Sequence, residues 1–121
     1  MEISGIKAII TGGVSGLGLA VARRFVESGG RVALFDVNDA AAGAAIEQLG
    51  DSNARFFSTD VTDEDQVAGN VGAAEQFLGR IDAAINCAGI LGAGRVLGKN
   101  GPMPLSRFQS TVMVNLVGSF N

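Results

Sequence analysis

The sequence predicts an α/β fold built on a parallel sheet, and three observations predict it. Short apolar runs alternate with amphipathic runs, at roughly 25 residues per unit, the rhythm of βαβ units. The apolar runs are continuous rather than alternating, as in strands covered on both faces. The first of them, Lys7–Thr11, leads into a glycine-rich turn and then a helical stripe. Strand, tight turn and helix in that order aim loop amides and a helix N-terminus at one point, which suits a phosphate.

Each element follows in order. Lys7–Thr11 is a short buried strand, and residues 12–16 form the turn. From Leu17 an apolar stripe of Leu17, Val21 and Phe25 has helical spacing. Gly29 and Gly30 stop that helix. Residues 31–37 form a second strand that carries Asp36 at its end. Asn38 or Asp39 caps an alanine-rich helix that runs to Leu49 and closes at Gly50. Residues 54–58 are a third strand, with Asp60 and Val61 at its exit. Thr62 opens a third helix, with Asp65 completing a capping box and Val67, Val71, Ala74 and Phe77 on one face. Gly69 and Gly72 lie inside that helix and read as close-packing points. Residues 81–86 form a fourth strand running into Cys87, Ala88 and Gly89. Residues 90–105 read as a loop, and a loop of this length within a domain tends to be functional. Ser106 and Gln109 form another capping box, opening a helix with Phe108, Val112, Leu116 and Phe120 on its apolar stripe. That makes four strands alternating with helices, the first portion of a doubly wound sheet.

Composition narrows the function. Of 121 residues, 47% are hydrophobic and 17% charged, so a packed core is expected rather than disorder. The net charge is −3 and the nine Lys and Arg form no run, which argues against nucleic acid as a partner. No apolar stretch reaches the roughly 18 residues of a membrane span, and residues 1–7 lack signal-peptide form. With one Cys no internal disulfide forms, so a cytoplasmic setting is expected. The chain has no His, so zinc sites and Ser-His or Cys-His catalysis cannot be built from it, and no metal is expected. It has no Tyr either, so it holds no phenolic acid or base.

The candidate site residues follow from their chemistry. Gly12 permits the sharp exit from the first strand, Gly16 lets a pyrophosphate approach the backbone, and Gly18 lets the helix pack closely. The Ser15 hydroxyl can donate to a phosphate oxygen. No Gly-Lys-Ser/Thr follows, so the turn is not that of an NTPase. Asp36 stands eighteen residues past Gly18, where a carboxylate accepts from adenosine ribose hydroxyls and repels a 2′-phosphate, favouring NAD over NADP. The competing reading of Asp36 is a helix cap or a surface carboxylate. Arg23 and Arg24 could complicate the cofactor preference but read as solvated. Asp60 can bond an adenine amino group and Val61 can pack on the ring, although Asp at a strand exit is also a common turn residue. Small residues at 87–89 let a ribose lie against backbone, and Asn86 can tie neighbouring strands through its amide. Cys87 reads as a small hydrophobe rather than a reactive thiol. Asn115, a polar amide amid apolar residues, either serves structure or holds water near a reaction centre.

The glycine turn 11–18, Asp60-Val61, Asn86-Cys87-Ala88-Gly89 and Val114-Asn115-Leu116 occur together and in order. The combination resembles the N-terminal half of a short-chain dehydrogenase/reductase and covers essentially the whole chain. The resemblance implies a Rossmann-type fold and a nicotinamide cofactor. It assigns Gly12, Ser15, Gly16, Leu17 and Gly18 to the pyrophosphate turn, Asp36 to NAD selection, and Asp60 and Val61 to adenine. Cys87, Ala88 and Gly89 fall to the nicotinamide-side ribose, with Cys87 where the family more usually has Asn. Asn115 matches a helix Asn that supports a water chain to a catalytic Lys. Within the family, Asp36, the Asn-Cys-Ala-Gly form and residues 108–121 look most like type II 3-hydroxyacyl-CoA dehydrogenases.

The family's Ser and Tyr-x-x-x-Lys have no match here; the lysines are Lys7 and Lys99, neither in that context. The expectation is therefore a single NAD-binding domain over residues 1–121, truncated at its C-terminus. It would be the cofactor-binding half of an enzyme oxidising a secondary alcohol or a 3-hydroxyacyl-CoA, a homo-oligomer (dimer or tetramer) when complete. The alternatives are a nucleotide-binding fragment without turnover, or a structural or regulatory subunit. A fourth strand beside the first, with nothing added beyond it, would leave a bare apolar edge.

Overall fold

The fold is that of a computed structural model, which describes residues 3–121. Strands β1 (Lys7–Thr11), β2 (Arg31–Asp36), β3 (Ala54–Ser58) and β4 (Ala83–Asn86) form one parallel sheet in the order β3-β2-β1-β4. Helices α1 (Gly16–Glu27), α2 (Asp39–Leu49) and α3 (Glu64–Leu78) connect them. This is the Rossmann-like N-terminal portion of a doubly wound sheet, as the apolar runs predict.

The continuous apolar strands supply two cores. Ala8 and Ile10 of β1 and Val32 and Leu34 of β2 face α1 and α2, meeting Ala22, Phe25, Ala45 and Leu49. The intervening Ile9, Ala33 and Phe35 face Ala74 and Leu78 of α3. Strand side chains alternate between faces, so a strand buried on both sides must be apolar at every position. The Phe35 ring meets Phe57 edge-on at 5.7 Å, joining β2 to β3 on the α3 face.

Several local expectations are corrected. Leu17 is 81% exposed rather than part of the α1 core face, which Gly18, Ala22 and Phe25 form instead. Helix α3 starts at Glu64, capped by Asp63, whose Oδ1 accepts from the Gln66 N–H at 3.0 Å. Thr62 precedes that cap, and its hydroxyl is turned toward Asp60, to which it donates at 2.7 Å. Gly69 and Gly72 are not packing points: a Cβ at either would meet nothing within 4 Å. Val67 is only half-buried and stands outside the α3 core. Strand β4 begins at Ala83, two residues later than expected, because Asp82 turns to the start of β1. Its carboxylate accepts from the Lys7 N–H at 2.9 Å and pairs with Arg80 at 2.7 Å.

Residues 90–104 are less irregular than the loop reading implied. They include a small antiparallel hairpin of β5 (Leu97–Gly98) and β6 (Gly101–Pro102). Helix α4 (Leu105–Val112) follows with Pro104 at its N-cap and no side-chain cap, so Ser106 and Gln109 make no capping box. The Ser106 carbonyl instead accepts from the Ser110 hydroxyl. A π-helical turn (Met113–Val117) then leads into α5 (Gly118–Phe120). The apolar stripe expected on this helix is largely uncovered: Phe108, Leu116 and Phe120 are all exposed.

Candidate functional site

From β1 the chain moves outward to β2 and β3, then returns to place β4 on the other side of β1. The reversal opens a crevice at the carboxyl ends of the strands, the place where open α/β sheets bind ligands. A cleft of about 480 Å³ lies there.

The glycine turn forms its floor. Gly12 has φ +64°, and a Cβ on it would press 2.8 Å from the Ala88 nitrogen, so both conformation and space demand glycine. A Cβ on Gly18 would strike the Gly12 carbonyl, which fixes how closely α1 meets the turn. Gly16 differs from both. Its φ is +50° and its Cβ would meet nothing within 4 Å. The space it leaves open is the groove itself. Ser15 precedes α1 without a side-chain cap, and the first turn of α1 carries no acidic residue. The N-terminal amides of α1 therefore keep their capacity for an anion.

Asp36 ends β2 at the rim. Its Oδ2 accepts from the Val14 N–H at 3.3 Å and its Oδ1 from the Asn38 N–H at 3.0 Å. Those bonds orient the carboxylate and leave lone pairs for hydroxyl donors. Among the described residues, Asp36 and Asp60 are the charged ones lining the cleft, and no Lys or Arg lines it. Arg23 and Arg24 are exposed on α1, and Arg23 bonds Gln48 at 2.9 Å, so neither reaches the site. Asp60 accepts from the Thr62 N–H and hydroxyl, while its own N–H donates to Gln66. Val61 is buried, 2.5 Å from where a Gly118 Cβ would stand.

All the residues expected to hold a cofactor line this one cleft: Gly12, Ser15, Gly16, Leu17 and Gly18, then Asp36, Asp60 and Val61, then Cys87, Ala88 and Gly89. The exposure of Leu17 follows, since its side chain faces the opening. Asn115 does not line it. Its amide pairs with the main chain of Ile90, accepting from the N–H at 2.9 Å and donating to the carbonyl at 3.0 Å. Asn115 thus fixes the first residue of the loop beyond β4, and Ile90 lines the cleft.

Sequence reasoning missed Phe35, Val37, Thr59, Ile90 and Val114 on the wall. Four of them are apolar and sit beside recognised motifs, where an aromatic or aliphatic wall reads only as core. Thr11 was also missed. Its hydroxyl oxygen accepts from the N–H groups of both Cys87 and Ala88 at 3.1 Å, fastening the end of β1 to the exit of β4. The tie expected of Asn86 is made by Thr11, and Asn86 is exposed.

The architecture is that of a Rossmann-like α/β protein, with open helix amides and a carboxylate rim at its cleft. Residues 7–121 match the short chain dehydrogenase family, and the chain belongs to it. Human 3-hydroxyacyl-CoA dehydrogenase type-2 is 41% identical over 99% of this chain, and the Drosophila melanogaster protein of that name is 36% identical over 98%. Rice momilactone A synthase is 34% identical over 98%. The chain spans about half the length of these relatives, 46%, 47% and 43% of each.

Proposed function

We propose that residues 1–121 are the cofactor-binding half of an NAD-dependent short-chain dehydrogenase acting on a secondary alcohol or a 3-hydroxyacyl-CoA. The observation that carries this reading is Asp36 at the rim of a cleft that no Lys or Arg lines. A carboxylate there accepts the ribose diol of NAD and repels the 2′-phosphate of NADP. The glycine turn and the start of α1 would receive the pyrophosphate, with Gly16 leaving the room and Ser15 adding a hydroxyl. Val61, packed beneath Gly118, would offer an apolar face to adenine, and Asp60 an acceptor. Cys87, Ala88 and Gly89, held by Thr11, would lie along the second ribose. The nicotinamide, when bound, supplies the hydride acceptor.

Asn115 contributes by holding Ile90 at the cleft, and its place in a water-mediated proton path belongs to the same proposal. These residues contain no Tyr, so a phenolic base would come from outside them. That composition favours a second reading for residues 1–121 alone: a nucleotide-binding unit without turnover. The cytoplasmic setting, the homo-oligomeric state and the single incomplete NAD-binding domain belong to the first reading.

The experiment mixes the protein carrying these residues with NAD and a 3-hydroxyacyl-CoA, and follows reduced nicotinamide by absorbance. Turnover is expected for that protein and none for residues 1–121 alone. Turnover by residues 1–121 alone would overturn the division of labour, and NAD binding without turnover in both would favour the second reading.

A further inference from the structure

Asp60 is exposed at the exit of β3, where an Asp side chain would ordinarily turn freely into water. Here it is held on three sides. Its N–H donates to Gln66 Oε1 at 3.0 Å, and its carbonyl accepts from the Asp63 N–H at 3.0 Å. Its Oδ1 accepts from the Thr62 N–H at 2.9 Å and from the Thr62 hydroxyl at 2.7 Å. Among the described residues, Oδ2 is the one polar atom of Asp60 left without a partner. Asp60 lines the cleft, so a donor that arrives there meets one free carboxylate oxygen on a fixed residue.

Gln66 is the unusual member of this set. It stands three residues after the Asp63 cap of α3, where a Gln or Glu ordinarily returns its side-chain oxygen to the N–H of the cap residue. In this chain the Asp60 carbonyl takes the Asp63 N–H, and the Gln66 oxygen reaches three residues further back, to Asp60. The Gln66 amide nitrogen donates to Asp63 Oδ2 at 2.8 Å, which fixes the orientation of the amide. Asn70 stands one turn further along the same helix face. Its Nδ2 donates to the Ser58 carbonyl at 2.9 Å and to the Thr59 hydroxyl oxygen at 2.8 Å. Thr59 is 1% exposed, lines the cleft, and donates its N–H to the Asp36 carbonyl at 2.9 Å. The first two turns of α3 thus hold residues 58–60 through side chains, and through Thr59 they reach the other carboxylate of the rim.

We infer that Gln66 is a positioning residue for recognition of the adenine base: it fixes the Asp60 main chain, so that the free carboxylate oxygen is held for the adenine amino group. The inference rests on the proposed nucleotide reading of the cleft and adds what sets its choice of base. Adenine presents an amino donor where hypoxanthine presents a carbonyl oxygen. A carboxylate accepts from the first and has nothing to offer the second. A mobile carboxylate would discriminate weakly, because ordering it on binding offsets the bond it makes, whereas one already held keeps the difference.

The test is calorimetric titration of the protein carrying these residues with NAD and with nicotinamide hypoxanthine dinucleotide. It compares wild type, Gln66→Met, Asp60→Ala and the Gln66→Met/Asp60→Ala double variant, each beside a thermal melt. Methionine keeps the length and helix preference of Gln66 but not its acceptor oxygen. Wild type is expected to favour NAD by about tenfold or more. Gln66→Met should lose most of that ratio through weaker NAD binding, and in the Asp60→Ala background it should change the ratio no further. A residue that only supported the start of α3 would lower the melting temperature and leave the ratio alone. An absent base preference in wild type, an undiminished ratio in Gln66→Met, or a further change of ratio in the double variant would overturn the inference. Failure of the NAD reading would look different, with NADP bound more tightly than NAD. Adenine is common to both cofactors, so the same ratio taken with NADP and its hypoxanthine counterpart would then decide the role of Gln66.

Discussion

Three glycines in one turn do different work, and single substitutions separate them. Gly16→Ala adds a methyl group to open groove at φ +50°, costing about 1 kcal/mol of stability. It is expected to leave the fold intact while weakening NAD binding by tenfold or so, measured by calorimetry beside a thermal melt. Gly18→Ala drives a methyl into the Gly12 carbonyl, so its melting temperature should fall well below that of the Gly16 variant. Thr11→Val leaves the Ala88 N–H without its acceptor, while the Cys87 N–H keeps the Thr11 carbonyl at 3.2 Å, and a loss of about 1–3 kcal/mol is expected in denaturant unfolding. Thr11→Ser should restore most of it. The glycine roles were legible because spacing after a strand encodes them. Thr11 was not, because nothing in the sequence shows that its hydroxyl meets amides 76 and 77 residues away.

Among the elements, β1 and β3 were legible to the residue from their apolar runs, and α2 to within the choice between Asn38 and Asp39 as its cap, which Asn38 fills. The cap of helix α3 was misplaced by one residue, because Thr62 and Asp63 are neighbours and both are capping residue types. The structure gives it to Asp63. The Gln66 N–H holds the Asp63 carboxyl below its ordinary value of 3.8. A depressed carboxyl stabilises the fold above 3.8, and that contribution is lost as pH falls through the lower folded value. Asp63→Asn keeps a capping oxygen without titrating, so wild type should lose stability relative to it in acid titrations below that pH. Gly69 and Gly72 face open space, so Gly69→Ala and Gly72→Ala should each stabilise α3 by about 0.5–1 kcal/mol. A fall in melting temperature for either would show hidden packing. The π-helical turn at Met113–Val117 was illegible, since a one-residue change of register leaves no compositional mark.

Over the whole molecule, the sequence disclosed a doubly wound half-sheet and its cleft but not which surfaces stay open. Within this structure β4 pairs with β1 alone. Leu105, Phe108, Leu116 and Phe120 are 67%, 56%, 66% and 89% exposed. The spacing of Phe108, Leu116 and Phe120 matches that of a core face, so sequence alone reads those three as buried. An edge strand and an uncovered apolar helix face together favour association. Residues 1–121 expressed alone should therefore sediment as assemblies that dissociate on dilution, and a monomer at every concentration would show these surfaces to be inert. The proposed preference for NAD rests on a carboxylate rim without basic neighbours. Its most direct test is calorimetric titration of the protein carrying these residues with NAD and with NADP, as wild type and as Asp36→Ala. Wild type is predicted to bind NAD at least tenfold more tightly than NADP, roughly the worth of one charged hydrogen bond, with Asp36→Ala erasing most of that preference. Tighter binding of NADP by wild type, or an undiminished preference in Asp36→Ala, would contradict it.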